Sequence, residues 1–192
     1  MHQLLPIPLD FHESRIKDNA MNSEPIIEEF TAQPYVAIKA KVTMDTLGTV
    51  VPPLTQEVNA WLAEHAIPPS GPPFWKFNVI DMAHGMEMEV EAGTMVAVTR
   101  TGGGRVLASV LPAGRYATLR HVGHPATLID ATTTLIDWAK SKGLRWDMSL
   151  SDEGERWGCR MEIYHTDPRD EPDMNKWETQ LAFRIADDSG VG

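Results

Sequence analysis

Glu162 has the strongest claim to chemistry in this chain. It lies in Arg160-Met161-Glu162-Ile163-Tyr164, where strand alternation puts Arg160, Glu162 and Tyr164 on one face and Met161 and Ile163 on the other. A carboxylate set among aromatic rings either binds a cation or, with its pKa raised by burial, transfers a proton. On a solvated strand the same residue would be a surface carboxylate paired with Arg160, and spacing alone leaves both readings open. Glu87 and Glu89 also share a strand face, opposite Met86, Met88 and Val90. Each taken singly reads as part of a wet face. Glu89 gains interest because its strand is the first-half counterpart of the Glu162 region.

The aromatic residues are few but grouped. Phe74, Trp75 and Phe77 lie in the first half, and Trp157, Tyr164, Trp177 and Phe183 in the second. Such rings supply flat apolar area and cation–π contacts for planar or cationic ligands. Trp61 and Trp138 fall inside helical patterns and read as core. Tyr35 and Tyr116 occupy matching positions in the two halves, either as walls of a cleft or as cross-strand pairs holding the sheet. The candidate ligand-binding set is therefore Glu162, Tyr164, Trp157, Trp75, Phe77, Glu89, Tyr35, Tyr116 and Phe183, with Glu162 the catalytic candidate if the chain is a hydrolase.

Other chemistries find no support. His121 and His124 have no nearby acidic or cysteine partner that would make a metal set. Thr101-Gly102-Gly103-Gly104 lacks the terminal Lys-Ser or Lys-Thr of a phosphate loop and reads as a turn. No serine sits in a Gly-flanked nucleophile elbow, and Cys159 has no activating partner in sequence. We expect no metal and no cofactor.

The elements that must position these residues are read twice. An extended segment from Ile26 to Val42, broken near Gln33-Pro34, leads to a helix opened by Pro52-Pro53, with Leu54, Val58, Trp61 and Leu62 on its apolar face. Ile67 to Pro73 reads as a shaped, proline-rich loop. Strands follow at Phe74–Ile80 and Met86–Val90, with a further extended piece at Thr94–Val98. The second half offers strands at Val106–Val110 and Tyr116–His121, then a helix from Pro125 to Gly143 with an apolar stripe of Leu128, Thr132, Leu135, Ile136 and Ala139. Strands at Trp157–Tyr164 and Trp177–Ile185 complete it. Two strand–helix–strand–strand units bury their apolar faces against each other, and the seam between them is a natural pocket. The fold class is α+β: a pseudo-twofold antiparallel sheet with two helices packed on it and a ligand cleft at the seam. Residues 24–187 read as a single domain with repeats at about 26–100 and 105–186, preceded by a poorly ordered extension over residues 1–23.

Composition narrows the partners. At 192 residues the chain is long enough for a sizeable core, and its net charge of -10 argues against direct nucleic-acid binding. One cysteine excludes an internal disulfide framework and fits a reducing cytoplasm. No run approaches the ~18 apolar residues that would cross a bilayer as a helix.

These residues are similar to a known family. Gly71-Pro72-Pro73-Phe74, the Met86–Gly93 segment with Glu89, Leu111-Pro112-Ala113-Gly114-Arg115-Tyr116-Ala117, Trp157–Pro168 with Glu162, and Trp177-Glu178-Thr179-Gln180-Leu181 resemble the GyrI-like effector-binding family over about Ile26 to Ile185. The resemblance implies a pseudo-twofold arrangement with a ligand cleft at the seam and an acidic residue at the position of Glu162 on its floor. Regulators of this family carry the domain behind a DNA-binding helix-turn-helix and sense amphipathic, often cationic, drugs. Some free-standing members hydrolyse cyclopropane-containing, DNA-alkylating natural products, and others inhibit DNA gyrase. The stretch before Ile26 is too short and proline-interrupted for a helix-turn-helix, so the expectation is a free-standing member. Three readings follow. The first is a binding module for amphipathic, aromatic or cationic small molecules, used in sensing or sequestration. The second is a detoxifying hydrolase using Glu162. The third is a gyrase inhibitor-like module with a protein partner.

Overall fold

The structure is a computed structural model, and it describes residues 20–83 and 85–187. Among the described residues, eleven strands form one antiparallel sheet that carries two α-helices. They are β1 (Met21–Asn22), β2 (Ile26–Phe30), β3 (Gln33–Val42), α1 (Met44–Glu64), β4 (Pro69–Asp81), β5 (Glu87–Val96), β6 (Leu107–Leu111), β7 (Gly114–Val122), α2 (Leu128–Ser141), β8 (Met148–Ser151), β9 (Gly154–Trp157), β10 (Arg160–Tyr164) and β11 (Glu178–Arg184). The expected extension falls mostly on residues 1–19, outside the described residues. Met21 and Asn22, within its expected bounds, pair with Val122 and His121 of β7.

The duplication is visible in the topology. β3–α1–β4–β5 and β7–α2–β10–β11 each contribute one helix and three strands, in spatial orders β4–β5–β3 and β10–β11–β7. The innermost strands, β4 and β10, pair antiparallel and form the seam. The short leading strands are exchanged. β2, which runs into β3, pairs with β7 of the other unit, and β6, which runs into β7, pairs with β3. Phe30 and Gln33 are three residues apart, so their backbones lie within about 10 Å. The sheet must therefore curl until its two ends approach, and the Phe30 and Tyr116 rings stack there at 4.6 Å.

Curling gives each face its own core. The helix-bearing face buries Val36, Ile38, Val90, Ala117, Leu119 and Leu181 under Val51, Leu54, Val58 and Leu62 of α1 and Leu128, Ala131 and Leu135 of α2. The inner face of the curl holds Tyr35, Ala37, Phe74, Tyr116, Cys159, Met161 and Ile163. Gly93 is required there, because a Cβ at this position would stand 2.5 Å from the Phe74 ring.

Several local expectations are corrected. The helix begins at Met44, eight residues before Pro52, and both prolines lie inside it. Thr46 starts it by accepting a hydrogen bond from the Thr43 backbone N–H at 2.9 Å. The prolines remove internal hydrogen bonds, but Val51 before them and Leu54, Val58 and Leu62 after them anchor the helix to the sheet. The proline-rich loop is partly strand: β4 starts at Pro69, with a register shift between Pro69 and Pro73. The Met86–Val90 and Thr94–Val98 pieces are one strand, β5. Trp157–Tyr164 is split at Gly158-Cys159 into β9 and β10, and β8 pairs with β9 as an added hairpin.

Candidate functional site

The two helices cover the outer parts of the sheet. α1 packs on β3 and β5, and α2 packs on β7. The seam strands β4 and β10 floor the space between them, and their helix-facing side chains Trp75, Arg160, Glu162 and Tyr164 are only half-buried.

Alternation along β10 delivers three functional groups in sequence. Met161 and Ile163 are pinned in the inner core, so Arg160, Glu162 and Tyr164 must face the helices. The Tyr164 hydroxyl donates to Glu162 Oε2 at 2.7 Å. Glu162 is the register partner of Trp75 across the seam. The Trp75 ring meets Tyr164 edge-on, with centroids 5.0 Å apart, and its Nε1 donates to Thr55 Oγ1 of α1 at 3.2 Å. Beside this group, Trp146, Trp157 and Phe183 form a triangle of rings with centroids 5.8 Å apart. The Arg160 guanidinium lies over two of them, 4.8 Å from the Trp157 centroid and 4.6 Å from that of Phe183. Trp157 Nε1 donates to Glu155 Oε2 at 3.2 Å.

The electrostatics follow from burial. Withdrawal from water pushes the Glu162 carboxyl above its ordinary value, against the Tyr164 hydrogen bond and the Arg160 charge, which pull it down. Burial also lifts the Tyr164 hydroxyl well above 10, and the neighbouring Glu162 charge adds to this. The same burial lowers Arg160 to about 10, although Glu162 and Glu155 favour its charged form. The result is a carboxyl whose protonated form burial favours, a tyrosine that stays a hydrogen-bond donor, and a cation, all on the helix-facing side of the seam.

The sequence-predicted residues divide in two. Glu162, Tyr164, Trp75, Trp157 and Phe183 come together on the helix-facing side of the seam. Trp157 and Phe183 are buried, so they form the bed beneath Arg160 rather than an open wall. Phe77 is on the same face but lies in the core. Tyr35, Tyr116 and Glu89 belong to the opposite face. The Tyr35 hydroxyl donates to Glu91 Oε2 at 2.6 Å, and Tyr116 donates to the Pro112 carbonyl at 2.7 Å. Glu89 pairs with Lys39 Nζ at 2.8 Å. Burial raises the Glu89 pKa, but Lys39 and Asn78 outweigh it and the net shift is downward. Tyr116 lines a separate hollow of about 340 Å³ on that inner face, with Phe30, Met95, Leu111, Met161 and Ile163. Placing these three at the Glu162 cleft is therefore corrected: strand pairing sets their side chains on the face opposite Glu162.

Thr55 has no signal in the sequence reading, and Arg160 enters it only as a possible surface partner of Glu162. Thr55 sits one residue from the buried Leu54, at the edge of the α1 apolar stripe. Arg160 shares the Glu162 face by alternation, but only the fold shows that it lies on aromatic rings rather than on the carboxylate.

Residues 23–186 match the family model of the GyrI-like small molecule binding domain. No curated protein matches the chain. Among solved structures, EcmrR in its DNA complex is similar at 17% identity and TM-score 0.63 over 92% of this chain. The chain spans 63% of the length of that protein. A hydrolase from Listeria innocua is similar at 16% identity and TM-score 0.59, covering 92% of this chain and 98% of its own. SAV2435 bound to tetraphenylphosphonium is similar at 9% identity and TM-score 0.56, covering 85% of this chain and 94% of its own.

Proposed function

The chain belongs to the GyrI-like family of small-molecule-binding domains, and from that premise we propose that it binds aromatic or amphipathic small molecules in the groove over the β4–β10 seam, for sensing or sequestration. The observation that carries this reading is the half-buried Glu162 carboxyl, hydrogen-bonded to Tyr164 and facing Trp75 at the floor between the helices. A concave, largely apolar site with a few placed polar groups is the ordinary form of a small-molecule pocket. The structure of SAV2435 with tetraphenylphosphonium shows a protein of this fold with an aromatic ligand. Titrating planar aromatic compounds against tryptophan fluorescence tests the reading. Saturable quenching, weakened in Trp75→Ala, is expected, and a titration unaffected by that substitution would sink it.

The raised pKa of Glu162 favours a second reading, a hydrolase acting on electrophilic ligands. There the unprotonated carboxylate would take a proton from water, or the protonated acid would give one to a leaving group, while Tyr164 fixes its orientation. Mass-spectrometric detection of water added to a cyclopropane electrophile by the wild type, and not by Glu162→Gln, is the expected result. Recovery of only intact ligand would leave the binding reading alone.

A further inference from the structure

Two ring faces beside the groove are already covered by the chain's own Arg160. Its guanidinium lies over the Trp157 and Phe183 rings. Among the described residues it makes no hydrogen bond or ion pair. Each nearby carboxylate has another donor: Tyr164 for Glu162 and the Trp157 indole for Glu155. Among those residues no buried side-chain nitrogen or oxygen lacks a partner. The uncommitted guanidinium donors of half-buried Arg160 are therefore accessible to an acceptor. Contact with two rings restrains the guanidinium, which lowers the ordering cost when an acceptor arrives.

Resting on the groove reading above, we propose that the site selects planar aromatic molecules that carry a carboxylate oxygen, which docks on Arg160 while the ring system packs on Trp75. A carboxylate matches the guanidinium fork through two parallel hydrogen bonds. A ligand cation placed there would meet a fixed positive charge and two ring faces already covered. Glu162 lies two residues along the same strand face.

Calorimetric titration of the full chain near neutral pH with 2-naphthoate, 2-naphthamide and 2-naphthylmethylammonium tests this. The three share a ring system and differ in charge. Naphthoate should bind tightest and the ammonium compound weakest. Arg160→Met should lose about tenfold or more in naphthoate affinity, the scale of a hydrogen bond to a charged group, and should gain affinity for the ammonium probe. If Arg160→Met does not fold, Arg160→Lys keeps the charge without the fork and should still weaken naphthoate severalfold more than naphthamide. Equal or tighter binding of the ammonium probe by the wild type would overturn the proposal. Binding of all three that Trp75→Ala weakens, with the order unchanged in the arginine variants, would overturn it while leaving the groove reading standing. No saturable binding of any probe would overturn both.

Discussion

Trp75 and Glu162 are direct partners across the antiparallel β4–β10 pair at the seam between the two repeats. The ring and the carboxylate thus come from different units and meet only when the seam is formed. Trp75 is tied to α1 through Thr55, so the indole is held by the helix as well as by its own strand. Trp75→Phe keeps an aromatic face but loses that tie. We expect it to bind aromatic ligands more weakly than the wild type and more tightly than Trp75→Ala, a ranking that fluorescence titration would check.

Glu162 links function to stability. Its pKa is raised in the folded protein, so its protonated form favours folding. That contribution is fully present below the unfolded value of about 4.3 and is lost as pH rises through the folded value. Near neutral pH the buried carboxylate is a burden. Glu162→Gln should therefore raise the thermal midpoint at neutral pH and leave it little changed in acid, as scanning calorimetry at several pH values would show. A drop in stability at neutral pH would contradict this.

The hydroxyl of Tyr164 pulls the Glu162 pKa down from where burial alone would put it. Tyr164→Phe should shift the Glu162 titration to higher pH, because the charged form loses a hydrogen bond of about 1.5–3 kcal/mol. Carbon-detected NMR titration of the side-chain carboxyl reads the shift directly. A midpoint that stays put or falls would mean the hydroxyl does not support the carboxylate in solution.

His121 provides a separate pH response. It is buried, with Nδ1 2.7 Å from Asn22 Oδ1 and Nε2 2.9 Å from Thr127 Oγ1. Burial lowers its pKa, against the His124 carbonyl and Asp130, which raise it. Its stabilising contribution is present above the unfolded value of about 6.5 and is lost as pH falls through the lower folded value. Urea unfolding should show a fall in stability below about 6.5 that His121→Gln removes.

Gly93 leaves room for Phe74 on the inner face. Gly93→Ala should destabilise the fold by about 1–3 kcal/mol through overpacking. Denaturant midpoints would measure this, and paired Gly93→Ala/Phe74→Leu should recover part of the loss.

Much of this was legible in the residues. The duplication, the α+β class and the Arg160-Glu162-Tyr164 face all follow from periodicities that the structure keeps. The proline-rich segments were not legible, because local rules start a helix at Pro52 and make Ile67–Pro73 a loop, whereas the helix begins at Met44 and β4 at Pro69. Nor was the facing of Tyr35, Tyr116 and Glu89. Alternation relates residues within a strand, but which of two faces meets the helices is decided by pairing between distant strands. The role of Arg160 lay beyond sequence for the same reason: Trp157 and Phe183 come beneath it only when β9 and β11 take their places around β10.

The exchange of β2 and β6 between units governs how the chain can be made. Ile26 finds its partner at Thr118, and Phe74 finds its own at Ile163. On the ribosome the first unit therefore waits with an open edge until most of the second has emerged, and such distant pairings slow folding. The two halves form a mutual clasp, and cutting the chain at Thr101–Gly104 would leave each fragment lacking a strand that only the other can supply.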